Sequence, residues 1–356
     1  MSKEIKEKEK EPVEILFSNE IVWAGHPDKV ADQIGAALLK EYISKDKNTH
    51  AGIEVMGGKG IIFVTGEVTS KARVNVKKVV KRVLKDRGYR TNYKIINNIG
   101  LQSPDINRGV SQLGGEIGAG DQGMMFGYAC NDTVEMLPTA MVILQKLARM
   151  YEDIRKDNPK DFYPDGKAQI TGIYDENMKL KRIKTFVISY QNAEVNRDKT
   201  DEILKSVASS IASEYGIKID EFLINPTGKF LIGGFDGDAG LTGRKIVVDA
   251  YQSFANVGGG NTNAKDPSKV DFSAAHKARQ LAKRIVKNEK LRWAEVQLSY
   301  AIGVAEPVAI YIRSNRGYLP VPKTWYKECK PANIIKDLDL LNADYEEMAK
   351  FGHFTK

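Results

Sequence analysis

The stretch AGHPDKVADQI, residues 24–34, places an imidazole, two carboxylates and an ammonium at the start of an apolar repeat. Apolar side chains recur every four positions from Val30 to Tyr42, which predicts a helix that begins just after His26. A capped and charged helix start would explain the polar residues. A phosphate and metal site would explain them as well, because a helix N-terminus attracts anions. Both interpretations stay open at this point.

The order of elements that begins with this helix recurs along the chain. In the first round, residues 51–58 and 60–69 predict a hairpin joined by glycines, and residues 74–89 predict an amphipathic helix ended by Gly88. The second round has the same order: a helix at 139–155, two strands within 167–194 and a helix at 200–216 with a Thr/Asp cap and Gly216 at its end. The third round has a helix at 272–288 and strands within 293–314, without the second helix.

Residue identity between the rounds is negligible, so the repeat is one of pattern only. It predicts an α/β fold of the α+β type, made of three similar units in which helices cover one face of each sheet. The alternative is three unrelated segments of an α/β protein. Between the rounds lie segments too rich in glycine for a core, which are expected to be functional loops: 101–129, 224–251 and 256–271.

The charged residues of these loops suit a polyanionic ligand. Arg244 and Lys245 are adjacent, just before an expected strand. Lys265, Lys269 and Asp271 stand at an expected helix start, where backbone N–H groups favour an anion and lysines add charge for phosphate. Asp271 either caps that helix or binds a divalent cation. Neither a Walker nor a Rossmann glycine motif occurs, so a nucleotide site would be of another type.

Composition restricts the partners and the compartment. The formal net charge of the 356-residue chain is +8, which suits nucleic acid or a polyanionic small molecule. The 2 cysteines cannot build a disulfide framework or a zinc site, which favours a reducing, cytoplasmic compartment. No apolar run reaches membrane-spanning length, so no membrane partner is expected. Residues 1–13 alternate lysine with glutamate and are expected to be a disordered tail.

Several longer motifs resemble the S-adenosylmethionine synthetase (methionine adenosyltransferase) family, in its order and close to its spacing. They span most of the chain: GHPDKVADQI (25–34), GAGDQGMMFGYA (118–129), GGFDGDAGLTGRKIVVDAY (233–251), KDPSKVD (265–271) and VQLSYAIGVAEP (296–307). The resemblance implies three similar domains about a pseudo-threefold axis and a homodimer, often paired into a homotetramer, with active sites at the dimer interface.

The implied domains are an N-terminal domain at 14–106, a gate loop at 107–120, a central domain at 121–232 and a C-terminal domain at 233–356, interleaved in space. The implied reaction joins ATP and L-methionine: the methionine sulfur attacks C5′ of ATP, and the expelled triphosphate is hydrolysed to phosphate and pyrophosphate. Cations at the leaving oxygen would lower the barrier, because negative charge grows there. The neutral thioether needs no general base. Two Mg²⁺ ions per site and K⁺ are the implied cofactors, and neither nucleic acid nor a membrane is an implied partner.

The resemblance also implies roles for individual residues. The catalytic group would be His26, at the bridging oxygen of the triphosphate, with Lys167, Arg244 and Lys265. The other positions implied to contact ATP are Asp165, Gly166, Lys229, Phe230, Asp238, Lys245 and Asn261. Those implied to contact methionine are Glu67, Gln102, Asp121, Asp238, Lys269 and Ile302. Asp28 and Asp271 would bind Mg²⁺, Glu54 would bind K⁺, and Glu20 is a further acidic position that could bind a metal.

The sequence departs from the family pattern at Asn192, Asn261 and Phe272, none of which removes an expected metal ligand or phosphate cation. Three alternatives are considered. Another Mg-ATP-dependent phosphotransferase would need a base for its acceptor hydroxyl, and no such motif is visible. A nucleic-acid-binding protein would need a basic face with exposed aromatic side chains. A catalytically impaired homologue would act as a regulatory subunit.

Overall fold

The computed structural model describes residues 14–102 and 118–354, so the expected tail at 1–13 and most of the expected gate at 107–120 lie outside the described residues. The strands form three four-stranded sheets. They are β1 (Ile15–Val22), β2 (His50–Gly58), β3 (Ile61–Thr69), β4 (Lys94–Gly100), β5 (Gly123–Cys130), β6 (Phe162–Tyr174), β7 (Leu180–Asn192), β8 (Ile219–Ile224), β9 (Gly240–Leu241), β10 (Trp293–Tyr300), β11 (Ala309–Ser314) and β12 (Gly317–Tyr318).

Helices connect and cover these sheets. They are α1 (Pro27–Lys45), α2 (Val76–Arg87), α3 (Thr139–Asp157), α4 (Arg197–Glu214), α5 (Gly234–Gly237), α6 (Ile246–Asp249), α7 (Val270–Asn288), α8 (Thr324–Glu328), α9 (Pro331–Asp337) and α10 (Tyr345–Phe351), with 3₁₀ turns at Glu194–Asn196 and Leu340–Asn342. Within residues 14–102 and 118–354, no helix combines the length and the apolar character needed to cross a membrane.

Each sheet is built around one of the three predicted hairpins, so the prediction of three α/β units is confirmed. The strand orders are β9-β2-β3-β4, β1-β6-β7-β8 and β5-β10-β11-β12. In the first two sheets, the helix after the hairpin leads to a fourth strand that pairs in parallel with the second hairpin strand. Such a crossover is the ordinary way to join parallel strands.

The remaining strand of each sheet comes from elsewhere in the chain. β1 precedes α1, yet it pairs along its whole length with β6 of the second unit. β5 precedes α3 and pairs with β10 of the third unit, and β9 precedes α7 and pairs with β2 of the first. The three units are therefore interlocked by a cyclic exchange of edge strands.

Helix α7 packs very closely on β5. A Cβ atom at Gly127 would lie 1.9 Å from the carbonyl carbon of Ala278, so only glycine allows this approach. Met125 and Ala129 on the same strand are fully buried. The prediction that all of residues 101–129 form a functional loop was therefore wrong for β5, where the glycine serves helix packing.

Two local predictions were also wrong. Helix α4 begins at Arg197, so Thr200 and Asp201 lie inside it rather than capping it, and both contact the Tyr190 hydroxyl. The strand expected after Lys245 is the short helix α6. Strand propensity is overridden there because the Asp249 carboxylate accepts a hydrogen bond from the buried Lys29 ammonium at 2.6 Å.

The C-terminal segment is helical and docked. The His353 N–H donates to the Asp249 carbonyl at 3.0 Å, and the Phe354 ring stacks on Tyr251 with centroids 5.0 Å apart. The ring of His276 on α7 lies edge-on to Phe272 and Phe354. Burial, and then the neighbouring His353, lower the pKa of His276 to about 3.

Replacing His276 by phenylalanine should make the protein relatively more stable as the pH falls. The native imidazole resists protonation down to about pH 3, whereas an unfolded histidine takes up a proton near pH 6.5. The unfolded state thus binds more protons, and stability falls as the pH drops below 6.5. His276→Phe removes this loss, with a relative gain of up to about 2 kcal/mol at pH 5.

Urea unfolding of both proteins between pH 7.5 and 5 measures this difference. His50→Gln is the matched control with the opposite sign, because Asp266 raises the pKa of His50. That variant should lose relative stability over the same range. A pH-independent difference between wild type and His276→Phe would contradict the prediction.

Candidate active site

The start of α1 is both a capped helix start and part of a polar cavity. His26 is the N-cap, and its Nδ1 accepts the Asp28 backbone N–H at 3.2 Å. Pro27 occupies the first turn, where a missing N–H costs nothing. Because Nδ1 is an acceptor, the proton of the neutral ring must be on Nε2.

His26 is neutral at physiological pH. Burial, and then the nearby Lys245 ammonium, lower its pKa to about 4, and Lys167 acts in the same direction. Burial first, and then the surrounding cations, therefore keep the ring uncharged. A neutral imidazole with its proton on Nε2 can donate a hydrogen bond to an anionic ligand.

Asp28 is fully buried and faces cations. One carboxylate oxygen accepts the Leu241 N–H at 3.0 Å, and the other accepts from the Lys245 ammonium at 2.6 Å. The Arg244 Nε lies 3.4 Å from the first oxygen. The glycine-rich loop before α6 is thereby held against the start of α1.

Lys29 and Asp32 lie beneath the site. Lys29 is 1% exposed and forms ion pairs with Asp32 and Asp249. Asp32 also accepts the Gly243 N–H at 2.9 Å, next to Arg244. These residues position the loop and do not reach the cavity. Of His26, Asp28, Lys29 and Asp32, only His26 lines a described cavity.

Strand pairing places two expected site residues, Glu20 and Lys167, on one sheet face. Val22 pairs with Lys167, and Glu20 pairs with Gln169, so these four side chains lie on the same face of the β1–β6 pair. A cavity of about 280 Å³ is lined by His26, Gly166, Lys167, Phe230 and Asp238, among others. A neighbouring cavity of about 480 Å³ is lined by Glu20, Gln169, Arg244 and Lys245, among others.

Asp165 forms the buried side of the smaller cavity. Its carboxylate accepts the N–H groups of Gly166 at 2.7 Å and Gly234 at 2.8 Å. Burial raises its pKa to about 6 despite these bonds. Lys229 lies outside this lining, because its mostly exposed ammonium pairs with Glu194 at 2.9 Å.

A second cluster lies at the start of α7. Lys269 is the N-cap residue, and its ammonium donates to Glu67 at 2.9 Å. Lys265 forms an ion pair with Asp271, whose other oxygen accepts the Gly260 N–H at 3.1 Å. A Cβ at Gly52 would lie 3.0 Å from both the Glu67 carboxylate and the Lys269 ammonium, so a glycine leaves room beside this pair.

The residues expected to contact methionine lie around this second cluster. Asp121 follows Gly120, whose backbone packs against Ser268 and Lys269. Ile302 is half exposed, beside Gly303, whose N–H donates to the Ala119 carbonyl. Gln102 is buried, and its side-chain oxygen has no hydrogen-bond partner within the described chain. Gln102 follows β4, where Gly100 pairs with Glu67.

Glu54 links the two loops. Its carboxylate accepts from the Thr242 hydroxyl and from the Asn261 side-chain amide, the latter at 3.1 Å. The same two loops also touch directly, since a Cβ at Gly243 would lie 2.8 Å from the Cβ of Asn261. Among residues 14–102 and 118–354, no group of three or more His, Cys, Asp and Glu side chains is arranged to hold a metal ion.

Ser189 and Ile232 line the smaller cavity, and sequence reasoning missed both. Ser189 reaches the cavity because it pairs with Lys167 across β6 and β7. Only the register of two strands predicts this, since the two residues are far apart in sequence. Two departures from the family pattern, Asn192 and Phe272, are both buried, and neither lines the two cavities.

The chain thus combines three interlocked α+β units with paired loops in which lysine and arginine surround buried aspartates. Such cations suit the binding of a polyphosphate, and aspartates beside them suit a divalent cation on its phosphates. The comparisons with known proteins then give the family. Residues 14–104, 116–230 and 232–356 match the N-terminal, central and C-terminal domains of S-adenosylmethionine synthetase.

A similar protein is the S-adenosylmethionine synthase of a Nitratiruptor species. It is 42% identical over 363 aligned positions, which cover 96% of this chain and 93% of that protein. The chain therefore belongs to the S-adenosylmethionine synthetase family.

Proposed function

We propose that this chain makes S-adenosyl-L-methionine by direct attack of the methionine sulfur on C5′ of ATP. A C–S bond forms, the C5′–O bond breaks, and the triphosphate leaves with the electron pair. Water then cleaves the triphosphate into phosphate and pyrophosphate. Family membership supports the overall activity of a methionine adenosyltransferase. The cation-lined cavity around His26 supports this route.

The surroundings of His26 are the observation that carries the proposal. The Nε2–H of the neutral ring is free to donate to the oxygen that departs from C5′, since Nδ1 is occupied by the Asp28 N–H. Lys167 lines the same cavity, and Arg244 and Lys245 line the adjoining one. Donors and cations fixed in advance stabilise the charge that grows on the leaving group. Phe230 offers a ring on which adenine can stack.

The Lys269–Glu67 ion pair is complementary to a zwitterionic amino acid. An ammonium and a carboxylate 2.9 Å apart can exchange partners with the carboxylate and ammonium of methionine. Gln102, with its unpartnered buried oxygen, follows the strand next to Glu67. We assign methionine to this cluster, and Lys265 to the triphosphate.

Asp28 and Asp271 fit Mg²⁺ ligation. Each lies in the first turn of a helix, with one carboxylate oxygen on a backbone N–H and the other on a lysine ammonium. In each aspartate, the oxygen that does not bind the backbone N–H thus already faces a cation. Mg²⁺ usually takes one or two carboxylates plus phosphate oxygens. When bound, Mg²⁺ neutralises charge on the phosphates. Glu54, with Thr242 and Asn261 on one oxygen, fits as one oxygen ligand of K⁺.

A second copy of the chain would complete the site. Leu241, Met56 and Phe63 form one cross-strand row over β9, β2 and β3, and all three are exposed. Such an apolar row on a sheet face suits an interface. The row adjoins Glu54 and the glycine-rich loop that contains Leu241. A homodimer through this face would therefore bring the His26–Lys245 cluster of one chain towards the Lys265–Asp271 cluster of the other. Further pairing into a homotetramer stays a proposal.

The remaining proposals concern location and domain limits. We propose a cytoplasmic location, which the free cysteines Cys130 and Cys329 support, because both are buried thiols. The domain boundaries at 14–106, 121–232 and 233–356, with a gate at 107–120, also stay proposals.

One assay tests the proposed reaction. Purified protein is mixed with ATP, L-methionine, Mg²⁺ and K⁺, and S-adenosylmethionine, phosphate and pyrophosphate are quantified together. We expect the three products in equal amounts. Phosphate release without methionine would indicate a hydrolase on the same scaffold. No turnover at all would favour the regulatory homologue.

A further inference from the structure

A large cavity lies away from both clusters, between α7 and the C-terminal helices. Its volume is about 660 Å³, which is within the range of small-molecule sites. One wall is basic and comes from α7: Arg279, Lys283, Arg284 and Lys287. The facing wall is mainly apolar and includes Leu338, Leu340, Ala343 and Met348. A ligand that fits both walls has an anionic group and an apolar body.

The basic wall is only partly neutralised by carboxylates: Arg284 pairs with Glu328 at 2.8 Å, whereas Arg279 and Lys283 pair with no carboxylate among the described residues. Lys283 is half-buried and makes no hydrogen bond or ion pair with any described residue, and its pKa is lowered by burial and then by Arg279 and Lys287. The Arg279 guanidinium donates only to the backbone carbonyls of Tyr128, Glu135 and Met136. An anion would relieve the repulsion among these cations.

The carboxylates at the rim are engaged with other cations. Asp344 accepts from Lys40 at 3.1 Å, and Glu347 accepts from Arg149 at 2.8 Å and Lys350 at 3.2 Å. They therefore do not neutralise Lys283.

His276 gives the cavity a polar group without a partner. Its ring contacts Phe272, His353 and Phe354 but makes no hydrogen bond to any described residue. A neutral imidazole always carries one N–H donor and one acceptor nitrogen. Both are available to a ligand in the cavity.

We propose that this cavity binds an amphipathic organic anion, with its carboxylate, sulfonate or phosphate group on Lys283 and its apolar body against Leu340 and Ala343. The site is separate from the ATP and methionine clusters. It does not depend on the proposed reaction.

The cavity also contacts a loop of the active site. His353 lines it, and its Nε2 lies 2.8 Å from the Thr262 hydroxyl. Thr262 follows Asn261, which bonds Glu54, and lies three residues before Lys265. A ligand that shifts His353 will therefore alter nucleotide affinity, and by linkage nucleotide will alter the affinity for the anion. This second statement rests on the proposed function.

The test uses 1-naphthalenesulfonate, an aromatic anion, titrated calorimetrically into the full chain without substrates. Lys283→Met should raise Kd roughly tenfold, because a charge-assisted contact is lost. Ala343→Phe should raise it at least as much by filling the cavity. Lys199→Met, which changes an exposed lysine on α4, should change Kd less than about twofold.

The other outcomes would reject either the anion site or its coupling to the loop that contains Thr262. Absence of binding at millimolar probe, or equal losses in Lys283→Met and Lys199→Met, rejects the site. Unchanged binding in Ala343→Phe, checked for folding by its thermal transition, places the probe elsewhere and also rejects it. If a non-hydrolysable ATP analogue binds without changing the probe Kd, the site stands and the coupling to the loop is rejected.

Discussion

Asp28→Asn is expected to lower kcat by about a thousandfold while the protein stays folded. Asparagine keeps an acceptor for the Leu241 N–H but removes the charge that faces Lys245. The divalent cation proposed at this position would lose an anionic ligand. Lys245 also loses the partner that holds it beside Arg244. Both losses weaken stabilisation of the leaving group.

Steady-state kinetics with saturating ATP and methionine measure this effect, with circular dichroism as the check on folding. Asp236→Asn is the matched control. Asp236 lies in the glycine-rich segment that also carries Lys245, but it pairs with Arg90 at 2.6 Å on the surface. We expect it to change kcat less than about threefold. Residual activity of Asp28→Asn above a tenth of the wild type would contradict the assigned role.

Mixing two inactive variants, Asp28→Asn and Asp271→Asn, is expected to restore roughly a quarter of the wild-type activity. The reason is that the two aspartates belong to different clusters, with Asp28 on Lys245 and Asp271 on Lys265. If each site takes Asp28 from one chain and Asp271 from the other, a mixed dimer has one site with both changes and one with neither. Random exchange makes about half of the dimers mixed, each with one intact site.

Co-expression with two different tags isolates the mixed dimers, whose activity should approach half of the wild type per dimer. The control pairs Asp28→Asn with Lys245→Met, which changes the same cluster in each chain. Every site in that mixture carries one lesion, so no activity should return. No recovery in the test pair would place both aspartates in a site made by a single chain. Recovery in the control would instead mean that Asp28 and Lys245 serve different sites, against their contact within one chain.

The patterns of apolar residues predicted the local elements well. The four-residue spacing after His26, the glycine-joined hairpin and the capping Gly88 all correspond to observed elements. Predictions failed where distant contacts override local preference. The β-branched residues of α6 favour a strand, yet buried Lys29 fixes that segment through Asp249. Gly127 suggested a ligand loop, yet it serves the approach of α7.

Candidate site residues could be proposed from the sequence, but their groupings could not. Asp28 and Lys29 are adjacent in sequence but have different partners. Asp28 contacts Lys245, which lines a cavity, whereas Lys29 forms buried ion pairs with Asp32 and Asp249 beneath the site. Ser189 reaches Lys167 only through strand register. Side-chain direction and pairing depend on backbone hydrogen bonds between distant segments, which a single sequence does not display.

The sequence by itself determined the three helix-and-hairpin rounds, because periodicity reports which face of each element is buried. Only the tertiary structure decided which sheet receives each edge strand. β1, β5 and β9 each pair with a unit other than the one they precede. An edge strand gains its hydrogen bonds from any sheet with an open, matching edge, so its partner is set by the packing of the whole chain and not by its own residues.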